Sequence, residues 1–139
     1  MDERRRAFTL IETVAAVVIL AIAVPPMLWA IRDAHVQRVN PVMASRARWL
    51  ATEMLEDIIA DRHSSTRGWE YLTEVHYPAE ATVPDYPGFA RSVTLTETGA
   101  DLSSPGSGYM TARVEVSWTD ATGTERTLEV STVLTEYVP

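Results

Sequence analysis

The first sixty residues divide into a strongly apolar stretch and an amphipathic one. Residues 14–31 contain no charged side chain, and the apolar run extends over residues 8–31 once the single acid Glu12 is included. A membrane-spanning helix needs about 20 mainly apolar residues. This stretch therefore predicts one transmembrane helix, and no later stretch is long or apolar enough to cross a bilayer again.

From residue 32 the pattern predicts an amphipathic helix that reaches residue 62. Its apolar positions recur at steps of three and four, namely Val36, Val39, Val42 or Met43, Ala47, Leu50, Met54, Leu55 and Ile58. Because Trp49 and Met54 also fall at helical spacing, we expect both to be core residues.

Two pairs that contain proline fall within these helical stretches. Proline lacks an N–H and clashes with the carbonyl four residues back, so Pro25 and Pro26 are predicted to kink the helix. The pair can mark a bend near the outer leaflet, or a locally melted segment that lets a subunit adapt inside an assembly. Asn40 and Pro41 predict a break, with Asn40 as a cap and Pro41 opening a new helix. The alternative is one helix over residues 8–61, about 80 Å long at 1.5 Å per residue.

The second half of the chain has the pattern of a small sheet. Residues 62–88 are rich in turn-forming residues and predict an extended connection over the surface. Three alternating segments follow, with inward positions at Val93 and Leu95, at Met110, Ala112, Val114, Val116 and Trp118, and at Leu128, Val130, Thr132 and Leu134. Glu97 falls on the apolar face, so we expect the buried part of the first strand to end at Thr96.

The connections between the strands are polar. Residues 99–108 predict a flexible loop, and residues 120–123 predict the turn of a hairpin. The fold class is therefore α+β, an amphipathic helix packed on a three-stranded antiparallel meander.

Composition excludes several classes of function. The 139 residues include no cysteine, which excludes a disulfide scaffold, a thiolate metal site and cysteine catalysis. The formal net charge is −7, and all twelve basic residues are arginine. An acidic chain repels nucleic acid on average, so no nucleic-acid partner is expected.

No motif points to catalysis or to a cofactor. The three histidines, His35, His63 and His76, show no metal-ligand spacing. Asp85, Asp101 and Asp120 offer loop carboxylates to calcium, but their spacing matches no known calcium loop. The sequence contains no nucleophile elbow and no phosphate-binding glycine loop. We therefore expect neither an enzyme, nor a cofactor, nor a metal site.

The N-terminal charges set the expected membrane topology. A run of three arginines precedes the apolar stretch and predicts a cytoplasmic N-terminus, with everything after Ile31 on the outer side. Glu12 lies inside the apolar stretch, where a charge costs about 2.5–3.5 kcal/mol near the middle of a span and less near its end. Glu12 is either a tolerated carboxylate at the membrane edge, or a group with a positive partner inside the membrane.

The residues from Arg4 to Glu12, RRRAFTLIE, closely resemble the class III signal of type IV pilins and type II secretion pseudopilins. The resemblance implies that a prepilin peptidase cuts between Ala7 and Phe8 and N-methylates Phe8. Glu12 is then the fifth residue of the mature chain and matches the glutamate of the family. That carboxylate is implied to meet the N-terminal amine of a neighbouring subunit. The family usually has glycine before the cut, whereas this chain has Ala7.

The resemblance also implies an organisation and a set of partners. Residues 1–7 are a leader peptide, residues 8–31 the transmembrane and filament-core helix, and residues 32–62 the amphipathic helix. Residues 63–139 complete one extracytoplasmic domain with that helix. The implied partners are other pilins or pseudopilins, the prepilin peptidase, the inner-membrane assembly platform and membrane lipid. The strand pattern over residues 114–120 is most similar to I-type minor pseudopilins and PilV-like minor pilins.

Two other interpretations of the N-terminus stay open. The residues Arg5-Arg6-Ala7-Phe8 resemble a twin-arginine export motif, but Glu12 interrupts the apolar region and no A-x-A cleavage site directly follows it. The chain can also be an uncleaved single-span membrane protein whose outer domain binds a ligand or a partner. An anchor of this kind gains nothing from Glu12, so the two functions differ in what this residue must do.

Overall fold

One long helix belongs to both of the compact units into which the chain divides. The computed structural model describes residues 9–137. Helix α1 runs over Leu10–His63, 54 residues in all, and the boundary between the two units lies inside it, between Arg38 and Val39.

The first unit consists of the apolar half of α1. Its apolar side chains lie on the surface, with Leu10 at 83% and Trp29 at 78% exposure. The helix is long and apolar enough to cross a membrane, and none of its most apolar 18-residue window is buried. A helix of this kind is stable in lipid for two reasons. Its apolar side chains face the lipid, and its backbone hydrogen bonds are made within the helix. The helix continues through Pro25 and Pro26, and the kink expected there stays a prediction.

The break expected at Asn40 and Pro41 is wrong, because α1 is continuous across both residues. The Asn40 side chain does not cap a new helix. Its Oδ1 atom instead accepts a hydrogen bond from the backbone N–H of Ala121 at 3.0 Å. Pro41 is exposed. Because proline has no N–H, the carbonyl oxygen four residues earlier lacks its helical donor, and water can donate a hydrogen bond to it instead. One uninterrupted helix is therefore the correct alternative.

The second unit contains a three-stranded antiparallel sheet in the order β1-β2-β3. The strands are β1 (Phe89–Thr98), β2 (Tyr109–Thr119) and β3 (Glu125–Thr135). Val114 of β2 lies opposite Val93 of β1 and Val130 of β3. Two short 3₁₀ helices, Trp69–Tyr71 and Glu74–His76, occupy the connection before the sheet.

The core of this unit lies between one stripe of α1 and one face of the sheet. The fully buried positions alternate along β2, as β-geometry requires, and recur at helical spacing along α1. They include Ala47, Leu50, Ala51 and Ile58 of α1 and Ala112, Val114 and Val116 of β2. The predicted α+β arrangement, with the helix packed on a meander, is confirmed.

Two details of the predicted core are wrong. Trp49 is 51% exposed, because it faces away from the buried stripe formed by Ala47 and Leu50. Its ring instead lies near the ring of Tyr86, with centroids 5.5 Å apart. Thr98 is 6% exposed, so burial does not end at Thr96. The following loop folds back at this point, and a backbone hydrogen bond joins the N–H of Gly99 to the carbonyl of Ser104.

Candidate functional site

The predicted processing site lies at the edge of the described structure. Ala7 and Phe8, the predicted cleavage and methylation residues, lie outside the described residues 9–137. The described part begins with Thr9, directly before α1. Of the site residues predicted from sequence, the structure places Glu12 in the first turn of α1, and Pro25 and Pro26 farther along the same helix.

Thr9 and Glu12 form a reciprocal cap at the start of α1. The Glu12 Oε2 atom accepts hydrogen bonds from the backbone N–H of Thr9 at 2.9 Å and from its hydroxyl at 2.8 Å. The Thr9 hydroxyl oxygen in turn accepts the backbone N–H of Glu12 at 3.3 Å. This is a capping box, which satisfies N–H groups that have no partner inside the helix. The fold therefore holds the Glu12 side chain at the N-terminal end of α1.

Within residues 9–137 the capped Glu12 carboxylate has no cationic partner. Only Oε2 takes part in the hydrogen bonds of the capping box, and Oε1 accepts none within residues 9–137. No arginine or histidine of this described range forms an ion pair with Glu12. In lipid an unpaired carboxylate is costly, and a cation from another chain would offset that cost.

Residues 3–24 match the prokaryotic N-terminal methylation motif. This match covers the arginine run, Glu12, and the predicted cleavage and methylation residues Ala7 and Phe8. It supports membership of the type IV pilin-like superfamily and a pilin- or pseudopilin-like precursor. The motif implies a structural subunit that associates with other pilins and with a prepilin peptidase. Together with the apolar half of α1, the motif is consistent with membrane anchoring.

The rest of the chain gives no comparable match. No curated protein and no solved structure shows significant similarity to it.

A buried arginine connects α1, the connecting segment and β1. Arg91 is 9% exposed. Its guanidinium donates to the Leu50 carbonyl at 3.0 Å, to Glu53 at 3.1 Å and to Glu80 at 2.7 Å. The backbones of Arg91 and Glu80 also exchange two hydrogen bonds. This cluster was not predicted from the sequence, although Arg91 shares the inward-facing parity of Phe89 and Val93, where a charged residue indicates a buried partner.

Two of the three loop carboxylates considered for calcium, those of Asp101 and Asp120, are bound by their own loops. Asp101 accepts the backbone N–H groups of Ser103 and Ser104. The side chain of Asp120 is 2% exposed and pairs with Arg126 at 3.0 Å. Within residues 9–137 no group of three or more acidic or histidine side chains is placed to hold a metal ion.

The hairpin turn holds the pKa of Asp120 well below its usual range. The main cause is the hydrogen bond from the Thr122 hydroxyl, followed by the one from the backbone N–H of Thr124. The ionised form of Asp120 is therefore the one that the folded turn stabilises.

We expect Asp120→Asn to lower stability at neutral pH and to remove part of its loss in acid. A lowered pKa in the folded state contributes stability above the unfolded pKa of about 3.9, and this contribution disappears as the pH falls below that value. The urea midpoint of the native protein should therefore fall more steeply than that of Asp120→Asn between about pH 5 and pH 2. The matched control is Asp57→Asn, because Asp57 is exposed and forms no ion pair within residues 9–137. Parallel pH profiles for the native and Asp120→Asn proteins would contradict the prediction.

Proposed function

We propose that the chain is the precursor of a filament subunit, of the type IV pilus or type II secretion kind. Prepilin peptidase cleaves it between Ala7 and Phe8 and methylates the new amine of Phe8. The mature subunit joins the filament through the apolar half of α1, and Glu12 binds the N-terminal amine of a neighbouring subunit.

The match of residues 3–24 to the methylation motif carries this proposal. Cleavage at this position retains the apolar helix in the mature protein, unlike cleavage of a secretory signal, which removes its apolar core. The capping box adds physical support, because it holds a carboxylate at the end of the helix where the new amine of a neighbour would arrive. Opposite charges on adjacent subunits would offset the burial cost of both.

The finer assignment is a minor subunit at the tip or at the initiation complex of the filament. It is supported by the acidity of the chain and by its lack of cysteine. In the precursor, residues 1–7 lie in the cytoplasm and residues 8–31 span the inner membrane. Residues 32–62 and 63–139 form the extracytoplasmic domain. Its partners are other pilins or pseudopilins, the peptidase, the assembly platform and membrane lipid.

Processing is tested by intact mass and N-terminal sequencing of the chain purified from the membranes of its native host. We expect the chain to begin at N-methylated Phe8. Because the family usually has glycine before the cut, Ala7→Gly should be processed at least as completely as the native chain. Ala7→Leu should accumulate as the uncleaved precursor. If the native chain and Ala7→Gly both begin at Met1, the proposal fails.

One feature favours a second function, a single-span anchored protein that is never cleaved. Ala7 stands where the family usually has glycine, so the peptidase can fail at this position. A native chain that begins at Met1, together with a processed Ala7→Gly variant, would support this alternative. The outer domain would then act by binding a ligand or a partner.

A further inference from the structure

A cavity of about 330 Å³ opens beside the outward surface of α1 in the second unit. Its lining residues include the aromatic Trp49 and Tyr86, the acidic Glu53 and Asp85, and Arg91. Aromatic faces and acidic groups together are typical of sites that bind an organic cation.

The aromatic wall is more exposed than packing alone would favour. Trp49 is 51% exposed, and its ring plane is tilted by 52° to the ring of Tyr86. A large aromatic side chain that is half exposed to water contributes little to the stability of the core of this unit. The faces of aromatic rings attract cations, and tryptophan is the strongest aromatic partner for one.

The charge around the cavity is negative in balance. Arg91 is already bonded to both Glu53 and Glu80, so this group of three carries an excess of one carboxylate. Glu53 contacts Arg91 through Oε2 only, and its side chain is 44% exposed. Asp85 adds another carboxylate, which accepts no hydrogen bond and forms no ion pair within residues 9–137. The charged lining residues, Glu53, Asp85 and Arg91, therefore leave one excess negative charge in the cavity. Glu80, which binds Arg91 from outside the lining, adds a second negative charge nearby.

Asp85 occupies a backbone position that usually belongs to glycine. It is the third residue of a turn in which the Tyr86 N–H donates to the Val83 carbonyl at 3.1 Å, and its φ is +62°. Glycine adopts this conformation without steric cost, whereas the Cβ atom of aspartate approaches the following carbonyl oxygen closely in it. Among residues 9–137 its carboxylate forms no hydrogen bond and no ion pair that would explain its place in the turn, but Asp85 does bring a charge to the lining of the cavity.

We propose that this cavity binds the guanidinium group of an arginine presented by a neighbouring protein. A guanidinium is planar, stacks on an aromatic face and donates to two carboxylates at once, which fits this combination of walls. A hard metal ion fits it less well, because metal ions of this class prefer several oxygen ligands and gain little from aromatic rings. The proposal does not depend on cleavage or on filament assembly.

Fluorine NMR of the full chain in detergent micelles tests the proposal on a single protein. The four tryptophans are replaced by 5-fluorotryptophan, and Trp49→Phe assigns the Trp49 signal. The probe is N-acetyl-arginine N-methylamide, and its control is the matching citrulline derivative, which has nearly the same shape and no charge. We expect the Trp49 signal to shift saturably with the arginine probe, and the citrulline probe to bind at least about tenfold more weakly.

Asp85→Asn should weaken binding of the arginine probe by about threefold, as expected for the loss of one partly exposed ion pair. Asparagine also tolerates the left-handed backbone, so the turn should persist. Asp101→Asn is the matched control, because Asp101 lies in another loop, and it should leave the affinity unchanged. Equal shifts with the two probes, no shift at Trp49, or an unchanged affinity in Asp85→Asn would overturn the proposal. Displacement of the arginine probe by low calcium concentrations would overturn it too, in favour of a metal site.

Discussion

Replacing Arg91 with methionine is expected to lower the free energy of unfolding of the second unit by about 2–4 kcal/mol. Arg91 donates hydrogen bonds to groups on three segments, the Leu50 carbonyl, Glu53 and Glu80. Removal of one partner of a buried ion pair costs about 3–5 kcal/mol, because the other partner is left uncompensated. The expected value is somewhat lower here, since the side chains of Glu53 and Glu80 are 44% and 27% exposed.

Urea unfolding of the detergent-solubilised full chain, followed by near-UV circular dichroism, measures this effect. The matched control is Arg113→Met, which removes a pair with Glu129 in which both side chains are about half exposed. An exposed pair contributes about 0–1 kcal/mol, so this variant should unfold close to the native protein. Arg91→Lys should fall between the two, because lysine retains the charge but cannot donate to three groups from one plane. If Arg91→Met and Arg113→Met have the same midpoint, Arg91 does not hold the three segments together.

The architecture of the chain could be predicted because its main determinants are local patterns. Alternation placed Val114, Val116 and Trp118 on the buried face of β2, and the structure buries all three. Helical spacing identified the stripe containing Ala47 and Leu50, which is likewise buried. Backbone geometry sets these two periodicities, so both can be recognised in the spacing of apolar residues along the sequence.

The errors occurred where a side chain has a partner far away in the chain. Asn40 was expected to cap a helix, but it accepts a hydrogen bond from Ala121, 81 residues later. Trp49 was assigned to the core, whereas its neighbour is Tyr86. Arg62 is 8% exposed and donates to the carbonyls of Thr135 and Tyr137. No local pattern carries the information about such partners, since they depend on how the segments meet.

The candidate site differs from the core because its geometry is local. A threonine followed three residues later by glutamate is the signature of a capping box, and Thr9 and Glu12 have this spacing. The prediction for Glu12 rested on its charge alone, although the capping box could have been predicted from the same two residues. The carboxylate thus has two possible roles, as a helix cap and as the partner of a cation, and a test of function must separate them.

Replacing Glu12 with leucine is expected to reduce incorporation into filaments by at least about tenfold, since breaking a buried ion pair costs about 3–5 kcal/mol. Membrane insertion should not suffer, because the variant removes a charge from an apolar segment. Incorporation is measured in the native host by immunoblotting of sheared or purified filaments against the total membrane fraction. In an uncleaved anchor, by contrast, Glu12→Leu should have no effect.

Two further variants separate the charge of Glu12 from its cap. Glu12→Gln keeps a side chain that can complete a capping box but removes the charge, so it should fail to assemble as Glu12→Leu does. Thr9→Val removes the hydroxyl that donates to Oε2 and keeps the carboxylate, so it should still assemble. If Glu12→Gln assembles normally and Thr9→Val does not, Glu12 acts through the structure of the helix end. Glu12→Leu at native levels in filaments would exclude the intersubunit ion pair altogether, because no other carboxylate lies within the apolar stretch at residues 8–31.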